Sequence, residues 1–361
     1  MGGAWTLNVM GCGDAAPHHG TGVRAALPDR NRMDASLDVV GIGNAIVDVI
    51  ASADDAFLVR NGMPKGAMML IDEERAHAIY AAMGPTVITS GGSAANTIAG
   101  IASLGGRTGF IGKVRDDALG AEFRHDITAL GTAFRTPAAT SGPATAQCLI
   151  AVTLDAQRTM NTFLGACATL GPDDLDAALI ESAKVTYLEG YLYDQPLAQQ
   201  AFREAADIAH AAGGKVALSL SDVFCVDRHR PAFLELIERH VDVLFANEAE
   251  VMALFEADDF ETMVEKLQGL TELCAVTRGA AGSVILSRAE RIDVPAAPVA
   301  RVVDTTGAGD LYAAGFLYGL TRGAALRACG DFGSLAAAEV IGHFGARPQM
   351  RLEELLAVRS V

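Results

Sequence analysis

From Leu37 onward, short apolar runs alternate with stretches whose apolar positions recur at helical spacing. Asp38–Ile42, Thr108–Ile111, Val185–Leu188, Lys215–Leu220, Val243–Ala246 and Leu273–Thr277 are compact runs bounded by turn residues, the pattern of strands buried on both faces. Between them, Asp72–Met83, Ser93–Leu104, Asp117–Leu130, Asp173–Ser182, Pro196–Ala212, Pro231–His240, Glu248–Phe255 and Phe260–Leu270 read as helices, and Leu311–Leu320 as an apolar one. Asp72, Glu73 and Glu74 fill one first turn, where carboxylates meet the positive end of the helix dipole. Strands alternating with helices predict an α/β fold with a mostly parallel central sheet, covered on both faces. Two segments break the rhythm. Residues 48–71 and 144–164 look strand-like, with Ile46–Ile50 leading into the first and a turn at Asp155-Ala156-Gln157 inside the second. Paired, they form a small accessory sheet over one edge of the main sheet, placed to act as a lid.

Composition narrows the class. Half of the 361 residues are hydrophobic and 20% are charged, which supports a large core and excludes wholesale disorder. The length admits two domains, but one α/β domain also reaches it. Residues 1–32 are rich in Gly, Ala and Pro without sustained period and read as a flexible N-terminal extension, with residues 33–361 as the folded domain. Met33, just before the first strand, is an alternative start. The net charge of −16, with no basic cluster, argues against nucleic-acid and anionic-membrane partners. The six cysteines are dispersed, with no C-x-x-C pair, which favours a reduced, cytoplasmic protein over a disulfide or zinc framework. Neither a secretory signal nor a membrane span is visible, since Pro85, Gly91-Gly92-Ser93 and Asn96 interrupt the longest uncharged stretch.

The strongest local feature is Val303-Asp304-Thr305-Thr306-Gly307-Ala308-Gly309-Asp310, running into an apolar helix. Glycines there let the backbone turn tightly and leave N–H groups uncovered at a helix start, which is an anion site. A carboxylate in that first turn repels phosphate, and Asp310 makes sense where a hydroxyl must lose its proton beside one. Ser219-Leu220-Ser221-Asp222 ends a strand, where α/β sheets line ligand crevices, but its residues alone assign it no role.

Asp304–Asp310 resembles the C-terminal signature of the ribokinase-like (PfkB) family of carbohydrate and nucleoside kinases. Gly91-Gly92-Ser93-Ala94-Ala95-Asn96 is similar to that family's Gly-Gly signature, Asn247-Glu248-Ala249-Glu250 to its Asn-x-x-Glu motif, and Val276–Ser283 to its nucleotide-side loop. The four stand in family order and cover about residues 37–350. The resemblance implies a ribokinase-like three-layer sandwich with a small β lid, and ATP with Mg²⁺ as the phosphoryl source. It implies Asp310 as catalytic base, with the N–H groups of Gly307, Ala308 and Gly309 on the migrating phosphoryl oxygens. Asn247, Thr277, Gly279, Gly282 and Thr306 fall on the ATP side, and Glu250 organises Mg²⁺ through water. There is no G-x-x-x-x-G-K-[ST] sequence, so this is not a P-loop enzyme.

Gly41–Asp48 is similar to the adenosine kinase branch, which implies Asn44 and Asp48 on the nucleoside, assisted by Gly91, Gly92, Ser93 and Asn96. Arg158 stands where that branch places a lid arginine, and Phe163, Met69 and Phe224 are candidates to pack on a purine. The expected reaction is ATP-dependent phosphorylation of the 5′-hydroxyl of adenosine by a monomer or homodimer. The alternatives are another nucleoside or a sugar (ribose, fructose, a keto-deoxy sugar acid) as acceptor, or a non-catalytic nucleoside- or sugar-binding protein.

Overall fold

The computed structural model describes residues 36–155 and 157–359. The expected extension at 1–32 and Met33 lie outside them.

Nine strands form the main sheet: β1 (Leu37–Ile42), β5 (Thr108–Ile111), β6 (Ala133–Phe134), β9 (Ala183–Glu189), β10 (Lys215–Ser219), β11 (Val243–Asn247), β12 (Leu273–Thr277), β13 (Ser283–Ser287) and β14 (Arg291–Val294). Their order is β14-β13-β12-β11-β10-β9-β1-β5-β6. All neighbours from β12 to β6 are parallel, and only β13 and β14 turn back antiparallel. Successive β1 residues serve opposite faces. Val39 packs with Ile98, Leu311 and Phe316, whereas Val40 packs with Leu188, Phe202 and Phe233. The result is three layers, helix–sheet–helix, as the alternating pattern predicts.

A second sheet holds β2 (Ile46–Ser52), β3 (Met68–Leu70), β4 (Val87–Gly91), β7 (Ala146–Val152) and β8 (Arg158–Phe163) in the order β3-β8-β7-β2-β4. Both irregular segments contribute to it, as expected. The first is not all strand, however: Asp54 caps a short helix at Asp55–Arg60 within it. That helix and Glu73–Ala82 cover the outer face, where Leu58 and Ile79 pack on Val49, Leu149 and Ala151. Burial of the Leu, Ile and Val side chains among them contributes roughly 1.5–3 kcal/mol each.

Two expectations need correction, and some elements were missed. The helix assigned to Pro231–His240 starts at Val223 and runs through the proline, kinked at His229, whose φ −126° and ψ 18° release the bonds a proline forbids. The one assigned to Asp173–Ser182 is a 3₁₀ turn at Pro172–Asp174, then a helix at Ala177–Glu181. Strands β4, β6, β13 and β14 and the Leu326–Val340 helix were not foreseen.

Candidate active site

Two helix starts converge on Asp310. The Ala308–Leu320 helix begins after Gly307, whose φ of +80° favours glycine and where a Cβ would lie 2.8 Å from Ala346. The Ser93–Ser103 helix begins after Gly92 (φ +94°), where a Cβ would lie 2.2 Å from the Asn44 carbonyl. From that helix Ser93 Oγ donates to Asp310 Oδ1 at 2.6 Å, and Asn96 Nδ2 donates to Oδ2 at 3.0 Å. Burial pushes the Asp310 carboxyl up to about 6, and these two donors only partly oppose it. A half-buried carboxylate with a midpoint near neutrality, held by two donors, is suited to take a proton.

Asn44 does not face open space. Its Nδ2 donates to Glu189 Oε1 at 2.6 Å, and the Ala94 N–H donates to Glu189 Oε2 at 2.7 Å. Glu189, at the end of β9, is therefore a buried strut between the β1–β2 turn and the start of the Ser93–Ser103 helix. Burial raises it to about 7, with the Asp310 charge adding to the shift. Sequence reading missed it. The available signal was a carboxylate at the C-terminal end of a central strand, where such sheets place ligand groups.

Asp48 lies on β2 in register with Cys148 of β7, which is in register with Thr162 of β8. This row belongs to the inner face, because Ile50 and Met160, two residues along, pack into the main core, and Arg158 reaches Asp304. Gly91 clears the space: a Cβ there would come within 2.8 Å of the Asp48 carboxylate atoms. Burial raises Asp48 to about 6, opposed by the nearby charges of Arg158 and Arg347. Phe163 and Met69 are one residue out of phase. Phe163 sits on the outer face with Val49 and Leu149, and Met69 pairs with Asn161 on the same parity. Neither is aimed at the crevice, and strand alternation is the reason. Phe224 is 70% exposed. Arg158 forms an almost buried ion pair with Asp304 at 2.7 Å, tying the small sheet to the glycine-rich loop.

On the other side of that loop lies a cleft of about 560 Å³. Thr277, Gly279 and Gly282 line it, and its wall reaches Ala308 and Gly309, directly before Asp310. The rest is mostly apolar, with Pro298, Val299, Val302 and Ile341 suited to a flat base. A Cβ on Gly309 would meet nothing within 4 Å, so the backbone there is open to a ligand. Ala308 differs from expectation, since its N–H bonds to the Thr305 carbonyl at 3.2 Å. Thr306 differs too: its N–H and hydroxyl both go to Asp304 Oδ1, and Thr305 lines the cleft instead.

Asn247 is outside the cleft wall and caps the Glu248–Phe255 helix in a reciprocal box with Glu250. Burial lifts Glu250 to about 7, and the charges of Asp222 and Asp310 add to it. Asp222 itself caps the Val223 helix by accepting from the Phe224 N–H. Among the described residues no three His, Cys, Asp or Glu side chains are grouped to hold a metal directly. Glu250 and Asp222 are oxygen donors of the kind that would suit a hydrated Mg²⁺ held through its waters.

The chain is an α/β phosphotransferase that acts on an alcohol group, with a crevice under the small sheet and an apolar cleft beside it. Residues 72–352 match the model of the pfkB family carbohydrate kinases, and the chain belongs to that family. It superposes on the crystal structure of adenosine kinase from Sinorhizobium meliloti with TM-score 0.84 and 52% identity, covering 90% of this chain and 99% of that one. Adenosine kinase of Saccharomyces cerevisiae is 26% identical over 85% of this chain and 95% of its own length. A 5-dehydro-2-deoxygluconokinase of Shouchella clausii is also 26% identical, over 89% of this chain and 95% of its own length. No helix among the described residues is long and apolar enough to cross a membrane.

Proposed function

We propose that the protein transfers the γ-phosphoryl group of ATP to the 5′-hydroxyl of adenosine, giving AMP and ADP. The observation that carries the reading is the position of Asp310, between the end of the nucleotide cleft at Gly309 and the acceptor-side donors Ser93 and Asn96. The acceptor hydroxyl gives its proton to Asp310 as its oxygen bonds to the γ-phosphorus. The bond from that phosphorus to the β,γ-bridging oxygen breaks, and ADP leaves. Phosphoryl transfer through a loose transition state asks for alignment and charge neutralisation, and the helix start at Gly307–Gly309 supplies both. Glu250 and Asp222 would hold Mg²⁺ through its waters, and the ion would supply shielding of the phosphate charge.

Adenosine as acceptor is supported by Asp48, whose carboxylate fits against Gly91 and whose two acceptor oxygens suit a vicinal diol. The 52% identity to an adenosine kinase over 90% of the chain supports it as well. In this reading the small sheet is a lid that the Arg158–Asp304 pair holds against the site. The protein works on small molecules in the cytoplasm, as a monomer or homodimer, without nucleic-acid or membrane partners.

A second reading keeps the chemistry and changes the acceptor to another nucleoside or a sugar. The outward placement of Phe163 favours it, since that ring does not face the crevice, as does the likeness to a 5-dehydro-2-deoxygluconokinase. An ATP-coupled assay across adenosine, guanosine, cytidine, ribose, fructose and a keto-deoxy sugar acid separates the two. A sugar turned over with higher kcat/KM than adenosine overturns the first reading, and no turnover of any acceptor overturns both.

A further inference from the structure

Arg347 lies in the loop after the Leu326–Val340 helix, outside every motif visible in the sequence. Its Nε donates to Asn96 Oδ1 at 3.3 Å, and Asn96 passes Nδ2 to Asp310 Oδ2 at 3.0 Å. An asparagine amide is nearly symmetric in shape, so its neighbours decide which end points where. Here the neighbours leave one choice. A guanidinium only donates and a carboxylate only accepts, so the oxygen must face Arg347 and the NH₂ must face Asp310. Rotated by half a turn, the amide would set oxygen against carboxylate and NH₂ against guanidinium.

The same guanidinium acts by charge on Asp48 of β2 and on Asp126 of the Ala118–Ala129 helix. Asp126 in turn accepts from Ser90 Oγ of β4 at 2.7 Å. Among the described residues Arg347 Nη2 is buried and has no hydrogen-bond partner. A buried donor left unpaired is costly, and an arginine retained only for packing would have its donors engaged.

We propose that Arg347 is a positioning residue for phosphoryl transfer: it locks the Asn96 amide in the one orientation that holds Asp310, and links that carboxylate to Asp48 on the acceptor side. The proposal rests on the reading of Asp310 as the group that takes the hydroxyl proton. Asp310 also meets Ser93 from the same helix as Asn96, and the charges of Glu189 on β9 and Glu250 on the Glu248–Phe255 helix. Asp48 meets Arg158 of β8 and Cys148 of β7. Loss of Arg347 therefore leaves Asp48 with Arg158 as its cation and Asp310 with Ser93 as its fixed donor.

The test compares R347Q and R347K, each checked for folding by thermal melt. In R347Q, kcat should fall about 10-fold or more, while KM for ATP stays within about 2-fold and the acid limb of the pH–rate profile moves to higher pH. R347K keeps the charge without the planar fork, so it should bring the acid limb back toward the parent and restore kcat only in part. A folded R347Q with unchanged kcat and acid limb overturns the proposal. So does a loss of kcat with an unmoved acid limb.

A second readout needs no turnover. With ¹⁵N-asparagine labelling, the Asn96 side-chain amide, identified by its absence in N96A, should follow the Asp310 titration near pH 6. In R347Q that midpoint should rise, and an amide titration indifferent to Arg347 overturns the proposal. If the parent turns over no acceptor, the functional reading falls, and the amide titration still decides the role of Arg347.

Discussion

Replacing Asp310 with Asn separates chemistry from architecture at a single atom. The new amide oxygen accepts from Asn96 Nδ2 as the carboxylate did, and the new NH₂ donates to the Ser93 hydroxyl, which rotates to accept. Both contacts survive and the fold keeps its two helix starts. What disappears is the proton acceptor. Loss of a general base costs about 10²–10⁴-fold, or about 3–5 kcal/mol on the barrier. Stability should move the other way. A carboxyl raised from 3.8 to about 6 by burial destabilises the folded state above that pH, by at most about 3 kcal/mol, and water reaching the half-buried group trims the figure. At pH about 8, where Asp310 is ionised, D310N should melt no lower than its parent while turnover collapses. A coupled ADP-release assay, calorimetric titration of adenosine and a thermal melt read the three quantities. Turnover within a few-fold of the parent refutes the assignment of the base. A melting point several degrees lower, with adenosine binding lost, makes Asp310 a structural residue.

Asp48→Ala should weaken the acceptor by about 10- to 150-fold, from roughly 1.5–3 kcal/mol of hydrogen bonds to a charged group, and leave KM for ATP nearly unchanged; equal weakening of both ligands assigns Asp48 to the fold. The pH dependence of ligand-free stability follows from Asp48 and Asp310 at about 6 and Glu189 and Glu250 at about 7, all raised. Between about pH 4 and 7 the folded chain binds more protons at these groups than the unfolded one, so their contribution to stability falls as pH rises. Thermal melts should therefore drop from about pH 5.5 to 8 while turnover climbs, and melts that rise over that window refute burial as the cause. Hydrogen exchange should show adenosine, more than ATP, protecting residues 48–71 and 144–164, with the Ala308–Leu320 helix protected throughout. Unchanged exchange in both segments with adenosine bound rejects the moving lid.

The main sheet was legible because its central strands are buried on both faces and so read as unbroken apolar runs. Strands β5, β12 and the Glu248–Phe255 helix appear with the boundaries read from the sequence. Legibility failed at the edges. Strand β4, with Val87 and Ile88 exposed, and β14, with Arg291 and Asp293, carry no such run. The Leu326–Val340 helix packs through small residues such as Gly330 and Gly333, which read as a turn-rich stretch. In the site, Asp310 was legible from the glycines at its helix start, whereas Ser93 and Asn96 were named through the resemblance of Gly91–Asn96 to the family's Gly-Gly signature. Phe163 was misplaced because only the register shows which face a strand residue serves. Glu189 and Arg347 stand outside the motifs; the end of a central strand was the only hint of Glu189, and tertiary contact alone gives Arg347 its place.

The order of the main sheet has a bearing on how such a protein can diverge. Strand β1 is first in the chain and stands inside the sheet; β5 and β6 extend it on one side, while β9 to β14 are laid down in chain order on the other. Every strand of the small sheet comes from the chain before Gly165, and the nucleotide cleft is built from Thr277 onward. On the proposed reading, the segment that reads the acceptor and the segment that reads the phosphoryl donor are thus two separate stretches of gene, in that order. Recombination between them can replace one inheritance without disturbing the other, provided the contacts back to the first half, Asp310 to Ser93 and Asn96 and Asp304 to Arg158, are kept.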